Sequence, residues 1–255
     1  ASSKNIQKVL AIVSKSSEEQ DVVVVVSAFG KTTNALIKGA TLAAQKNEDY
    51  LKVLNELENN HFNIIKELLP VKEQSSVNGY VKQSFNHLET IYEGCFLLRE
   101  LSPKTLAKVS SFGELLSSYI ITKAANVSLK AVYKDTRELI VASDNYNNAL
   151  VNFSTTFKNC QDYFLPHKQR VTIVPGFVAR TINGKTTTLG RGGSDFTAAI
   201  ISAALDCSEL QIWTDVSGMF TANPSIVKQA SVIDHISYHE AMELSHFGAK
   251  VIYPP

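Results

Sequence analysis

A chain of 255 residues, 44% hydrophobic and 19% charged, has ordinary globular composition and the length for one large α/β domain or two small ones. A formal net charge of +1, with no Lys/Arg cluster on a helical face, argues against a nucleic-acid partner. No apolar run is longer than the five residues of Val22 to Val26, too short to span a bilayer, the N-terminus lacks a basic-then-apolar leader, and three widely spaced cysteines imply neither a disulfide framework nor a zinc site. These features predict a cytoplasmic protein with no membrane partner.

The chain opens on an amphipathic helix carrying Ile6, Val9, Leu10 and Val13 at helical spacing. Because a doubly wound domain ordinarily begins with a strand, a first strand upstream of Ala1 is expected. Asp21 to Ser27 is a β-branched run apolar on both faces, the pattern of a central parallel strand covered by helices on each side. Its end, Ser27-Ala28-Phe29-Gly30-Lys31-Thr32-Thr33-Asn34, is a turn feeding a helix through Leu36, Ile37 and Ala40, and ligands of open α/β sheets bind at such strand ends.

Residues from about 48 to 101 have helical periodicity and form a helical excursion that, with the next helix, runs to about 125. Ser102-Pro103 starts that helix, with Ser as cap and Pro at the first position. Val109, Phe112, Leu116 and Tyr119 line one of its faces, while Ser110, Ser111, Glu114, Ser117 and Ser118 occupy the other. Small serines around one carboxylate permit close approach by another group, which singles out Glu114; the plain alternative is a solvated surface glutamate.

Leu129 to Lys134 is a strand candidate, a helix is expected through Leu150 and Phe153, and Val171 to Gly176 is a further strand. Asn183-Gly184, between Phe177–Ile182 and Lys185–Leu189, signals a tight two-residue hairpin turn. Gly190-Arg191-Gly192-Gly193-Ser194-Asp195 then leads into an apolar helix through Ala198, Ile201 and Leu205, with Ser194 or Asp195 expected as its cap. Three glycines allow close backbone approach, the helix start attracts negative charge, and Arg191 adds a planar cationic fork. An acid beside an anion site suits a cation-orienting role for Asp195. Glu209 to Trp213 is a strand candidate ending at Thr214-Asp215, and Ser237-Tyr238-His239-Glu240 is a capping box for a last helix that ends near Gly248, before Lys250 and a short strand.

The inventory at the strand ends is hydroxyls, cations and few acids: Ser27, Thr33, Arg191, Ser194, Thr214, Asp215 and Lys250. No Gly-x-Ser-x-Gly elbow is present, which disfavours a hydrolase, and no Gly-x-x-x-x-Gly-Lys-Ser/Thr, which excludes a P-loop kinase. His235 and His239 straddle the capping box, so they do not share a helical face and no metal site is assigned to them. Phosphoryl transfer needs positioning, cations and donors for the equatorial oxygens, and those are the groups found.

Five blocks in order, Val24 to Ala28, Gly113 to Ser117, Thr187 to Asp195, Thr214 to Gly218 and Phe247 to Val251, resemble aspartokinase, of the amino-acid kinase superfamily. Ser27 to Asn34 is most similar to the kinase portion of the fused aspartokinase–homoserine dehydrogenases. The resemblance covers nearly the whole chain. It implies an α/β/α sandwich with a mostly parallel central sheet, a single catalytic domain over 1–255 with its nucleotide-binding part at about 170–255, and ATP and Mg²⁺ as cofactors. The implied reaction is phosphorylation of the side-chain carboxylate of L-aspartate to 4-phospho-L-aspartate, the entry to lysine, threonine and methionine biosynthesis.

By position, the resemblance implies that Thr33, Glu114, Arg191 and Ser194 contact aspartate, Glu114 at the ammonium and Arg191 at a carboxylate. Asp195 would orient catalytic cations. Ser27, Thr214, Asp215, Phe220, Ser225 and Lys250 fall at nucleotide positions. A side-chain carboxylate is ionised near neutral pH, which accounts for the lack of an obvious general base.

Departures from the family pattern are specific. The family's opening Lys-Phe-Gly-Gly-Thr/Ser strand is expected upstream of Ala1, so catalysis by these residues alone is in question. Phe220, Asn223-Pro224-Ser225 and Tyr253 stand where the family has Tyr, Asp-Pro-Arg and His, and Ser225 removes a fixed cation from the nucleotide site. A homo-oligomer is implied for the full-length protein. Two alternatives stand beside the aspartate reading: another amino-acid kinase acting on a related acid, and a catalytically idle domain that binds ligand or assembles subunits.

Overall fold

The computed structural model describes residues 3–146, 148–166, 170–214, 218–223 and 225–246. The chain divides into two compact units, residues 1–208 and 209–255.

The first unit runs α1 (Ser3–Ser16), β1 (Val22–Val26), α2 (Thr32–Ala44), α3 (Asp49–Leu68), α4 (Val71–Leu98), α5 (Pro103–Ala125), β2 (Ala131–Tyr133), β3 (Val141–Ala142), α6 (Phe153–Phe164), β4 (Val171–Pro175), β5 (Val178–Thr181), β6 (Thr186–Thr188) and α7 (Gly193–Leu205). One sheet has the order β1-β4-β2, all parallel, with Val22 opposite Val171 and Ala131 also opposite Val171. A second sheet, β3-β5-β6, pairs β3 parallel and β6 antiparallel to β5.

The alternation of β1 builds three layers. Val23 and Val25 pack with Cys160 of α6 and with Ile200, Ile201 and Ala204 of α7. Val22, Val24 and Val26 face the opposite way, onto Val13 of α1 and Ala125 of α5. Helices thus cover both faces, as the two-sided apolar pattern requires. The middle of the sheet, however, belongs to β4, whose five residues are all buried, whereas β1 flanks it and is half-buried over most of its length. Apolar character on both faces reports the layers above and below a strand, not its place in the hydrogen-bonded order.

The helical excursion is α3 and α4, which join α2 and α5 in one apolar cluster with Leu36, Leu54, Ile65, Phe85, Leu88 and Leu116 at its centre. Tyr92 of α4 donates its hydroxyl to the Leu36 carbonyl over 2.7 Å, and a Cβ on Gly39 would fall 2.8 Å from the Tyr92 ring. This contact fixes α2, and therefore the turn before it. Ser102 caps α5 by accepting from the Thr105 amide. The helix predicted through Leu150 begins later: Asn152 accepts from the Thr155 amide and α6 starts at Phe153, leaving Leu150 exposed ahead of it.

The second unit contains a Phe220–Val232 antiparallel bridge and α8 (Tyr238–His246). Ser237 and Glu240 form the predicted capping box, Glu240 N–H donating to Ser237 Oγ at 3.2 Å and Ser237 N–H to Glu240 Oε2 at 2.9 Å. His235 precedes α8 and His239 lies in it. Glu209–Trp213 forms no strand. Its backbone has no sheet partner among the described residues, Leu210, Ile212 and Trp213 are exposed, and Gln211 instead bridges Glu209 and Trp213 side chain to side chain. Apolar alternation specifies a strand only when a neighbour supplies the ladder. Among the described residues no helix is long and apolar enough to cross a membrane.

Candidate active site at the carboxyl ends of the strands

Three segments of the first unit enclose a cleft of about 300 Å³: the turn after β1, the bend between β4 and β5, and the start of α7, with α5 behind them. Each approaches closely because a side chain is missing. A Cβ on Gly113 of α5 would lie 2.8 Å from the Ala28 Cβ, one on Gly176 would lie 2.7 Å from Ser194 Oγ, and one on Gly193 would lie 2.7 Å from the Phe177 ring.

Ser27, Thr33, Glu114, Ser194 and Asp195 all line this cleft. Glu114 is 5% exposed, which removes the solvated-surface alternative. The four serines predicted beside it are buried too, each hydroxyl returned to a backbone carbonyl, so that the face stays small and apolar enough to pack. The Ala28 amide donates to the Glu114 carboxylate, while Oε2 has no partner among the described residues. Burial pushes the Glu114 carboxyl up to about 7. A buried carboxylate with one oxygen unmatched, and no cationic partner among the described residues, can accept a cationic donor.

Opposite it, α7 starts differently from prediction. Gly192, in the left-handed region at φ 68°, takes the cap position, and Ser194 and Asp195 fall in the first helical turn. No side chain caps the helix. This left-handed conformation favours glycine at the cap. Gly193 N–H donates to the Gly190 carbonyl at 3.1 Å, which among the described residues leaves the Ser194 and Asp195 amides open to an anion. Asp195 is half-buried, and burial raises its carboxyl above the usual range. Arg191 is exposed in the turn before α7 and does not line the cleft.

Thr214, Phe220 and Ser225 lie in the second unit, and Asp215 and Lys250 lie outside the described residues. Ser225 is locally satisfied: Asn223 Oδ1 accepts from its amide at 3.0 Å and from its hydroxyl at 2.7 Å.

Two contributors escaped prediction. Phe177 lines the cleft with φ 65°, a conformation rare for a bulky side chain, and nothing in its position at the start of a hairpin strand signals it. Gly176 was placed at a strand end, but its contact with Ser194 is long-range and leaves no local trace.

Among the described residues no three His, Cys, Asp or Glu side chains gather around a common point. Mg²⁺ bound chiefly through nucleotide phosphates needs only one or two protein carboxylates, and Asp195 fits that requirement, since a half-buried carboxylate held above its usual range gains from a cation.

The entire chain, residues 1–255, matches the family model described as amino acid kinase family. It is 33% identical over 260 residues to the bifunctional aspartokinase/homoserine dehydrogenase of Buchnera aphidicola subsp. Acyrthosiphon pisum (strain APS), covering 100% of this chain and 32% of that protein. With the chloroplastic aspartokinase 1 of Arabidopsis thaliana it shares 36% identity over 244 residues, 92% of this chain and 42% of the relative. The crystal structure of E. coli aspartokinase III in complex with aspartate and ADP superposes with a TM-score of 0.90 at 29% identity, covering 100% of this chain and 55% of that one. The chain therefore spans about a third to a half of the length of these relatives.

Proposed function

The chain belongs to the amino acid kinase family, and we propose that it is the catalytic domain, 1–255, of an aspartate kinase that transfers the terminal phosphoryl group of ATP to the side-chain carboxylate of L-aspartate. The observation that carries this is the pairing of a buried, half-satisfied Glu114 with an uncapped helix start across one small cleft. One end suits an ammonium and the other an anion, the two ends of a zwitterionic acid substrate. The similarity to a structure holding aspartate and ADP supports the same choice.

In this reading Glu114 takes the ammonium, Thr33 and Ser194 donate to the substrate carboxylates, and Arg191, exposed in the turn before α7, pairs with one of them. The side-chain carboxylate oxygen attacks the terminal phosphorus, an O–P bond forms, and the bond from that phosphorus to the leaving ADP oxygen breaks. No proton need be moved, because the nucleophile is already ionised. The Ser194 and Asp195 amides at the start of α7 stabilise charge on the transferring oxygens. Asp195 would hold and orient the cation that accompanies the nucleotide, and Mg²⁺, when bound, would supply charge neutralisation there. The resemblance to aspartokinase gives nucleotide roles to Ser27 and, separately, to Thr214, Asp215, Phe220, Ser225 and Lys250 of the nucleotide-binding part at about 170–255.

The test is ADP formation with Mg²⁺ and a panel of amino acids. Aspartate-dependent turnover at least about tenfold above that with glutamate is expected, and Glu114→Ala should abolish it. Equal rates with the two acids, or turnover unchanged by Glu114→Ala, would overturn the assignment.

A further inference from the structure

The bend between β4 and β5 ties together the three cleft-lining segments. Gly176 N–H donates to the Val26 carbonyl at 2.8 Å, linking the bend to the end of β1. The next residue, Phe177, turns left-handed and aims its own N–H at α7. There it meets two acceptors: Thr197 Oγ1 at 2.9 Å and the Gly193 carbonyl at 3.2 Å. The same Thr197 hydroxyl donates to the Gly193 carbonyl at 2.8 Å. Thr197 is 0% exposed, does not line the cleft, and is one turn beyond Gly193, so its hydroxyl reaches back along the helix and out to the bend in one stroke.

An ordinary helical threonine only donates to the carbonyl four residues back. This one also accepts, and what it accepts from is the amide of a bulky residue held at φ 65°. Such a conformation persists only where the surroundings over-determine it, and it clusters at functional sites. Residues on both sides of the junction, Phe177, Gly193, Ser194 and Asp195, line the cleft.

We propose that Thr197 is a positioning residue for the reaction: its hydroxyl locks the Phe177 bend to the first turn of α7 and thereby sets where Ser194 and Asp195 stand relative to the substrate. This rests on the cleft being the aspartate site.

The experiment compares Thr197→Val, which keeps shape and removes the hydroxyl, with Thr197→Ser, which keeps the hydroxyl and removes the methyl. Thr156→Val serves as control: Thr156 is equally buried, and its hydroxyl is bonded to both the amide and the carbonyl of Val141, away from the cleft. Thr197→Val should lower kcat/KM for aspartate by about tenfold or more, Thr197→Ser should hold within about threefold of wild type, and Thr156→Val within about twofold despite a comparable loss in Tm. Amide exchange at Phe177 should accelerate in Thr197→Val alone.

Unchanged kcat/KM in Thr197→Val, equal losses in the Val and Ser variants, or an equal loss in Thr156→Val would each overturn the proposal. If the wild-type chain fails to turn over aspartate, the kinase reading falls instead, and the Phe177 exchange rate still decides whether Thr197 locks the bend.

Discussion

The Ser117 hydroxyl donates to the Ser27 carbonyl oxygen over 2.9 Å, pinning the middle of α5 to the end of β1. Gly113, one turn earlier on the same face, meets Ala28 in the same turn. Between them sits Glu114, so the contact that seals helix to strand end is also the one that carries the carboxylate to the base of the cleft.

Glycine in the middle of a helix ordinarily costs about 0.5–1 kcal/mol relative to alanine. At Gly113 the sign reverses, because the added Cβ would stand 2.8 Å from the Ala28 Cβ, which has no flexible end to yield. Gly113→Ala should lower stability by about 1–3 kcal/mol and raise KM for aspartate. Gly79 and Gly94, in α4, have nothing within 4 Å of the new atom. Alanine there should stabilise by up to about 1 kcal/mol and leave kinetics untouched. Denaturant unfolding with steady-state kinetics on the three variants decides it; a stabilised Gly113→Ala would refute the close contact.

Substrate ammonium binding requires the ionised form of Glu114, whose carboxyl burial pushes up to about 7. The free-enzyme profile of kcat/KM for aspartate should therefore fall about tenfold per pH unit below about 7. Glu114→Gln should cut kcat/KM by roughly ten- to a hundredfold at pH 8 and flatten the acid limb. A variant that keeps the limb would assign it to another group.

Much of this site was legible because its parts are local. Ser102-Pro103 and the serine face around Glu114 each act within a few residues, and each was found where the sequence placed it. The Asn183-Gly184 hairpin is also present, but its loop has three residues, Ile182 to Gly184, closed by Thr181 N–H donating to the Lys185 carbonyl at 2.8 Å with Gly184 at φ 73°. What escaped depends on contacts distant in the chain. The left-handed Phe177 is held by Thr197, twenty residues on. The cap of α7 went to Gly192 because backbone conformation outweighed side-chain preference. The expected strand at Glu209–Trp213 has the composition but no ladder partner among the described residues. Edge or centre of a sheet, as for β1 and β4, is likewise decided by neighbours that periodicity does not name.

Ser225 spends its amide and hydroxyl on Asn223 Oδ1 and presents no fixed charge. If this loop meets the nucleotide phosphates, Ser225→Arg should lower KM for ATP by roughly tenfold, and increasing salt should weaken that gain. KM for aspartate should stay unchanged. An unaltered KM for ATP would detach position 225 from the nucleotide.

Stability against pH should expose two buried groups of opposite sign. Glu114 has a folded-state pKa of about 7 against an ordinary 4.5, so the folded protein binds the extra proton and gains stability as pH falls from about 7 to 4.5. Above 7 the ionised carboxylate is a standing cost of roughly 3 kcal/mol at most. His61 is 1% exposed and wedged between the rings of Phe29 and Phe85. Its Nδ1 donates to the Leu57 carbonyl and Nε2 has no partner among the described residues. Burial lowers its pKa below 6.5, so its contribution is full above 6.5 and is lost as pH falls further. In the wild type the two trends oppose each other below about pH 6.5. Glu114→Gln should be more stable than wild type at pH 8 and lose that advantage on acidification. His61→Phe, which keeps the ring contacts, should gain on wild type as pH falls below 6.5. Urea unfolding of the three proteins at pH 8, 6.5 and 5 measures both differences, and a Glu114→Gln less stable than wild type at pH 8 would show that the free carboxylate carries no strain.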